Sequence, residues 1–223
     1  MAERIIVAIG ALSNLLDLQV GCFGTLSKLI KQGSKVFLAI AHESSRKSSK
    51  KNRQLEGLIQ KSAETIGISS LYFTIRFDYS RMSQDNVNVL RSFIESSHAS
   101  VAIIPSIRAN DPKQQVLAES SLLACRSITN ILMYSYTKPN TEFIPNLFSR
   151  IPKDCLSLKD VCISAFGDHD SKYPVESMIE KKLKKKESSS GSGAHYDFKT
   201  NSKYFESFAI HRLVLLSSNQ ILE

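Results

Sequence analysis

Residues 4–40 read RIIVAIGALSNLLDLQVGCFGTLSKLIKQGSKVFLAI, and this stretch decides the fold. An apolar run at 5–9 leads into a turn, an amphipathic stretch at 21–32 and a second apolar run at 36–40. Short apolar runs separated by a segment of helical period predict a strand–loop–helix–strand unit. Further apolar runs at 71–75, 101–105 and 131–134 alternate with helical patterns at 51–67, 84–96 and 113–126. This alternation predicts βαβ units and a mainly parallel sheet. Ligands in such sheets bind beyond the carboxyl ends of the strands. The loops at 10–19, 41–50, 76–83 and 106–113 are therefore expected around one crevice.

After residue 140 the pattern loosens. Residues 156–164 read as an extended segment and 174–186 as a helix. A Lys/Ser/Gly-rich stretch at 181–202 reads as a flexible surface loop within a single domain spanning 1–223. Too few residues follow it to build a second core, and 204–216 is apolar enough to return to the body of the fold.

The chain has 223 residues, 42% hydrophobic and 22% charged, which places it among ordinary soluble globular domains. The formal charge of +8 is concentrated at 46–53 and 182–186. No aromatic residues interleave these lysines, so solvated basic loops are expected in place of a nucleic-acid or anionic-surface site. Four cysteines at 22, 125, 155 and 162 form no CxxC and have no His at zinc-finger spacing, so reduced thiols are expected. Glu3, Asn14 and Asp17 interrupt the apolar N-terminal stretch, which argues against a leader peptide and for a cytoplasmic location. No run reaches the ~20 apolar residues of a membrane helix. Gly21-Cys22-Phe23-Gly24 is an incomplete dinucleotide fingerprint.

Several short motifs, in order, resemble the PIG-L/LmbE family of metal-dependent de-N-acetylases. They are Phe23-Gly24-Thr25-Leu26, Arg53 with Glu56, Arg76-Phe77-Asp78, Ile103-Ile104-Pro105, Asp111 to Gln115, and Tyr204 to Phe208 with Arg212. The resemblance implies a Rossmann-like three-layer α/β sandwich and a zinc site formed by the loops at 13–18 and 111–115. In active members two histidines and an aspartate hold the zinc, a second aspartate is the general base, and another histidine supports the oxyanion. Carried onto this chain, Asn14 and Gln114 stand where the ligand histidines belong, and Asp17 keeps the carboxylate. Leu16 stands where the base belongs and Asp111 on the oxyanion side.

Amide oxygens are poor zinc ligands, and leucine accepts no proton. The resemblance therefore implies a catalytically inactive relative that carries no metal cofactor. It would act by binding a sugar- or nucleotide-like ligand, or by forming a homo-oligomer or a hetero-oligomer with an active paralogue. Arg53, Glu56, Asp78 and His42 are the candidate ligand-binding residues. The three leucines at 15, 16 and 18 would be costly in an open polar cleft unless packing or a partner covers them. The alternative is an active zinc-dependent deacetylase or hydrolase acting on an N-acetylated amino-sugar conjugate. Its ligands would have relocated to Asp17, His42 or the turn at 167–170, which reads Gly-Asp-His-Asp.

Overall fold

Alternate residues of the first strand, β1 (Ile5–Ala11), belong to two different hydrophobic cores. Ile6 and Ala8 join one, and Val7, Ile9 and Ala11 join the other, as the two-residue period of a strand demands when both faces are covered. The computed structural model describes residues 4–43, 50–68, 72–135, 143–167 and 204–213. Within them β1 is followed by α1 (Leu15–Lys31), β2 (Lys35–Glu43), α2 (Lys50–Ile66) and β3 (Tyr72–Phe77). Next come α3 (Gln84–Ser97), β4 (Val101–Pro105), α4 (Pro112–Ala124) and β5 (Asn130–Tyr134). Then follow β6 (Leu147–Ile151), α5 (Lys153–Gly167) and β7 (Tyr204–Arg212).

The strands form one seven-stranded sheet in the order β3-β2-β1-β4-β5-β7-β6. The first five are parallel, with Ile6 opposite Val36 on one side and Val101 on the other. The last two are antiparallel additions at one edge. Helices α1, α2 and α5 pack together against one face, and α3 and α4 against the other. This is the expected Rossmann-like sandwich.

Two local expectations are corrected. Helix α1 begins at Leu15, straight after a single 3-10 turn at Leu12–Asn14, so most of the expected loop at 10–19 is helix. Gly10 permits this close turn: a Cβ there would lie 2.8 Å from Leu18 Cδ2. Leu15 and Leu18 are consequently 1% and 0% exposed in the core, so neither needs a partner to cover it, and Leu16 is half-buried. The segment expected to be extended at 156–164 is instead part of α5, whose buried Cys155, Lys159, Cys162 and Ile163 fall on one helical face. The expected helix at 174–186, the loop at 181–202 and residues 168–170 of the Asp/His turn lie outside the described residues. No helix among the described residues is long and apolar enough to cross a membrane.

Candidate functional site

Strand order reverses between β1 and β4, because β1 connects leftward to β2 while β4 connects rightward to β5. The crevice above such a switch point is where an open α/β sheet presents its loops to a ligand. Asn14 follows β1 and Asp111 follows β4, so both stand at this crevice.

Asp111 is the N-cap of α4. Its Oδ1 accepts from the backbone N–H of Lys113 at 3.0 Å, and Pro112 occupies the first helical position. Its second oxygen, Oδ2, accepts from Asn14 Nδ2 at 2.9 Å. Asn14 makes no side-chain cap to its own helix, since its amide is directed across the crevice instead. One turn into each helix the relationship is repeated in the opposite sense. Gln114 of α4 donates its amide Nε2 to Oδ2 of Asp17 in the first turn of α1. Both Gln114 and Asp17 are buried, and the positive end of α1 favours a carboxylate there. Four of the five positions singled out in the sequence, all but Leu16, are thus brought together as two amide-to-carboxylate pairs.

Beside them lies a group that the sequence did not flag as a unit. Lys113 Nζ is 3.5 Å from Glu43 Oε2 at the end of β2 and 5.9 Å from the centre of the Tyr79 ring. Tyr79 donates its hydroxyl to the carbonyl of Ala41 at 2.9 Å and stacks obliquely on Phe77. Burial holds its phenol above the usual range, helped by Glu43 and Asp111. Tyr134 likewise donates to the carbonyl of Ile9, and burial raises its phenol too. These contacts tie the carboxyl end of β5 to β1, and the carboxyl end of β2 to the segment after β3 and the start of α4. Glu43 could have been found from its place as the last residue of β2, on the α4 side of the sheet.

The remaining candidates are dispersed. His42 alternates with Glu43 and so lies on the opposite face, half-exposed, paired in register with Arg76. Arg53 is exposed and Glu56 half-buried in the first turns of α2. Asp78 is exposed and shapes the turn after β3. Its Oδ1 accepts from the Ser80 N–H, which lowers its carboxyl below the ordinary value, and its backbone is bound to Asn86.

The Phe23-Gly24-Thr25-Leu26 and Tyr204 to Phe208 motifs meet behind the crevice. Glu206 of β7 accepts from the backbone N–H groups of Gly24 at 2.8 Å and Thr25 at 2.7 Å, inside α1. It is also paired with Lys159 of α5 at 3.0 Å, and both side chains are almost wholly buried. A Cβ on Gly24 would come 2.8 Å from Glu206 Oε1 and 2.9 Å from Ile151. The glycine is what admits the carboxylate.

Compared by sequence, the chain matches no family model and no curated protein. Compared by structure, it is similar to N,N'-diacetylchitobiose deacetylase from Pyrococcus horikoshii. The TM-score is 0.65 at 16% identity, over 94% of this chain and 84% of that one. It is similar also to the pseudoaglycone deacetylase Dbv21, with TM-score 0.67, 13% identity and coverage of 94% and 98%. A third similar structure is GalB, a 4-carboxy-2-hydroxymuconate hydratase from Pseudomonas putida, with TM-score 0.63, 13% identity and coverage of 96% and 98%. A deacetylase and a hydratase on one scaffold show that architecture alone does not assign a reaction. The chain has the α/β fold shared by these deacetylases and the hydratase.

Proposed function

We propose that this protein is a non-catalytic relative of the PIG-L/LmbE deacetylases that acts by binding. The reading is carried by the two amide-to-carboxylate pairs, Asn14 with Asp111 and Gln114 with Asp17, standing at the corner where a zinc triad would sit. Zinc prefers imidazole, thiolate or carboxylate ligands. A carboxylate can only accept, so Asn14 and Gln114 present N–H groups to their partners, and an N–H cannot ligate a cation. One carboxylate oxygen of Asp17 is already engaged. These residues do not fit zinc.

Leu16 accepts no proton, which removes a general base worth about 10²–10⁴-fold in rate. Asp111 would place a second negative charge beside a developing oxyanion, where a donor is required. Among the described residues no group of three His, Cys, Asp or Glu side chains is arranged to hold a metal ion. His42 at the end of β2, Arg53 and Glu56 of α2, and Asp78 after β3 are the proposed ligand-binding residues. The ligand class is a sugar- or nucleotide-like molecule, and an active paralogue or a second copy is the protein partner proposed.

The test is acetate release from N-acetylglucosamine and N,N'-diacetylchitobiose, with zinc supplied, alongside thermal-shift binding of the same sugars. The expected result is no acetate above the buffer blank and, for a binder, a rise in melting temperature. Zinc-dependent acetate release that Asp17→Ala abolishes would overturn the non-catalytic reading.

A further inference from the structure

His42 and Arg76 are partners in register at the carboxyl ends of β2 and β3. Residues paired across neighbouring strands stand about 5 Å apart. Leu38 and Ile40 belong to the core beneath α2, and His42 continues their row two residues further on. Ile75 and Phe77 belong to the opposite core, so Arg76 between them is turned to the α2 side together with His42. His42 is half-exposed and Arg76 exposed. Helix α2 follows β2 and packs on this face through Leu55, Leu58 and Ile59. Its first turn holds the exposed Arg53 and no acid.

The acids at this end of the molecule are committed elsewhere. Glu43 alternates to the far face of β2 and pairs with Lys113. Asp78 accepts from the Ser80 N–H, and the cation acting on its carboxylate is Arg81. Among the described residues, His42, Arg53 and Arg76 enter no ion pair or side-chain hydrogen bond, not even with Glu56 one turn along α2. A guanidinium is always charged, carries only donors, and its planar fork matches an oxyanion bidentately; an imidazole N–H adds a donor. A phosphate monoester carries about −1.5 to −2 charge at pH 7 and three acceptor oxygens, enough to engage several such groups at once. A carboxylate brings one charge and two oxygens.

We infer that His42 and Arg76, supported by Arg53, form a phosphate-binding site, and that the ligand bears a phosphate group on its sugar. The inference rests on the reading that the chain binds a sugar- or nucleotide-like ligand, and adds Arg76 and the anionic group to it. The site lies on the α2 side of the sheet, across β2 from the Lys113–Glu43 pair.

The experiment is titration calorimetry on the full chain with N-acetylglucosamine 1-phosphate, adenosine 5′-monophosphate, N-acetylglucosamine and glucuronate. Wild type is compared with Arg76→Gln, His42→Gln and, as a control for the loss of one charge, Arg91→Gln on α3. Thermal melts serve to show that each variant is folded. At least one phosphorylated ligand is expected to bind about 10-fold or more tighter than N-acetylglucosamine, and the stronger of the two identifies the source of the phosphate. Arg76→Gln and His42→Gln should each weaken it by about 10-fold, and Arg91→Gln by less than about two-fold. Equal affinity for N-acetylglucosamine and its 1-phosphate, with no binding of the nucleotide, would overturn the inference and leave the sugar-binding reading standing. Phosphate binding that depends on Arg76 without any binding of the neutral sugar would do the reverse. Glucuronate bound as tightly as either phosphorylated ligand would overturn the assignment of phosphate. So would an equal loss in Arg76→Gln and Arg91→Gln, which would mark a general attraction to a basic chain.

Discussion

Gln114 in α4 donates its side-chain amide to the carboxylate of Asp17 in α1, 97 residues away in sequence, and both are buried. With the reciprocal bond from Asn14 to Asp111 it forms a clasp across the switch point of the sheet. Gln114→Glu converts one arm of the clasp into two facing carboxylates. Repulsion raises the folded-state pKa of that pair above its unfolded value. The variant should therefore be close to wild type below about pH 4, where the pair is protonated in both states, and fall behind as pH rises through the folded pKa. Urea midpoints at pH 4 and pH 8 measure this; a wild-type-minus-variant difference independent of pH would mean the two side chains do not meet.

Asn14→Ala leaves Asp111 its cap on α4 but removes its partner across the crevice. The expected cost is about 1–2 kcal/mol, in the range of a hydrogen bond to a charged group. A double-mutant cycle with Asp111→Ala should give a coupling of at least about 0.5 kcal/mol. Strict additivity would deny the contact.

Glu206 draws α1, α5 and β7 together through two backbone N–H groups and Lys159. Lys159→Met removes one member of a buried ion pair and leaves the other charged, so a loss of about 3–5 kcal/mol is expected. Gly24→Ala forces a Cβ against Glu206 and Ile151 and should cost about 1–3 kcal/mol by overpacking. Denaturation midpoints read both, and an Ala variant as stable as wild type would show that the carboxylate does not sit against the helix.

All four cysteines are buried. Burial pushes the Cys162 thiol up to about 11 and the Cys125 thiol up to about 12, and raises Cys22 well above the ordinary range. The thiolate is the reactive form. A disulfide reagent at pH 8 should label none of the four in the native protein and all four after denaturation. Raising the pH to 9 should not unmask Cys125 or Cys162. Rapid labelling of the native protein would mean that the α1–α5 and α4–β5 layers open.

His98 ends α3 with φ of 52°, a left-handed conformation that a side chain adopts at a cost. It is exposed and its N–H bonds the Glu95 carbonyl, so glycine can replace it without losing the cap. His98→Gly should stabilise by about 0.5–1 kcal/mol. A destabilised variant would mean that the imidazole makes a contact worth more than the strain.

The parallel half of the molecule was legible because its strands are buried on both faces and so read as unbroken apolar runs, such as IIVAIGA at Ile5–Ala11. The start of α1 was not. Ser13, Asn14 and Asp17 resemble loop residues, and only the three-dimensional seat of Leu18 against Gly10 shows that the helix already runs there. Helix α5 was misread because Lys159, a buried charge, breaks the apolar pattern of its inward face, and its partner Glu206 lies on a distant strand. Strand β6 was missed because it is short and alternating, with Phe148 and Arg150 outward and Ser149 buried. At the site the positions were legible one by one from their motifs. Their pairing was not, because a sequence does not show which amide faces which carboxylate. The Glu43–Lys113–Tyr79 group depends on three segments meeting at one end of the sheet, and no local spacing marks it.

The most direct test of the non-catalytic reading is metal content. Purified full-length protein is loaded with excess zinc, dialysed exhaustively and measured by mass spectrometry beside Asp17→Ala. The expected result is that wild type retains well under one zinc per chain and does not differ from the variant. Retention of about one zinc per chain by wild type, lost in Asp17→Ala, would contradict it.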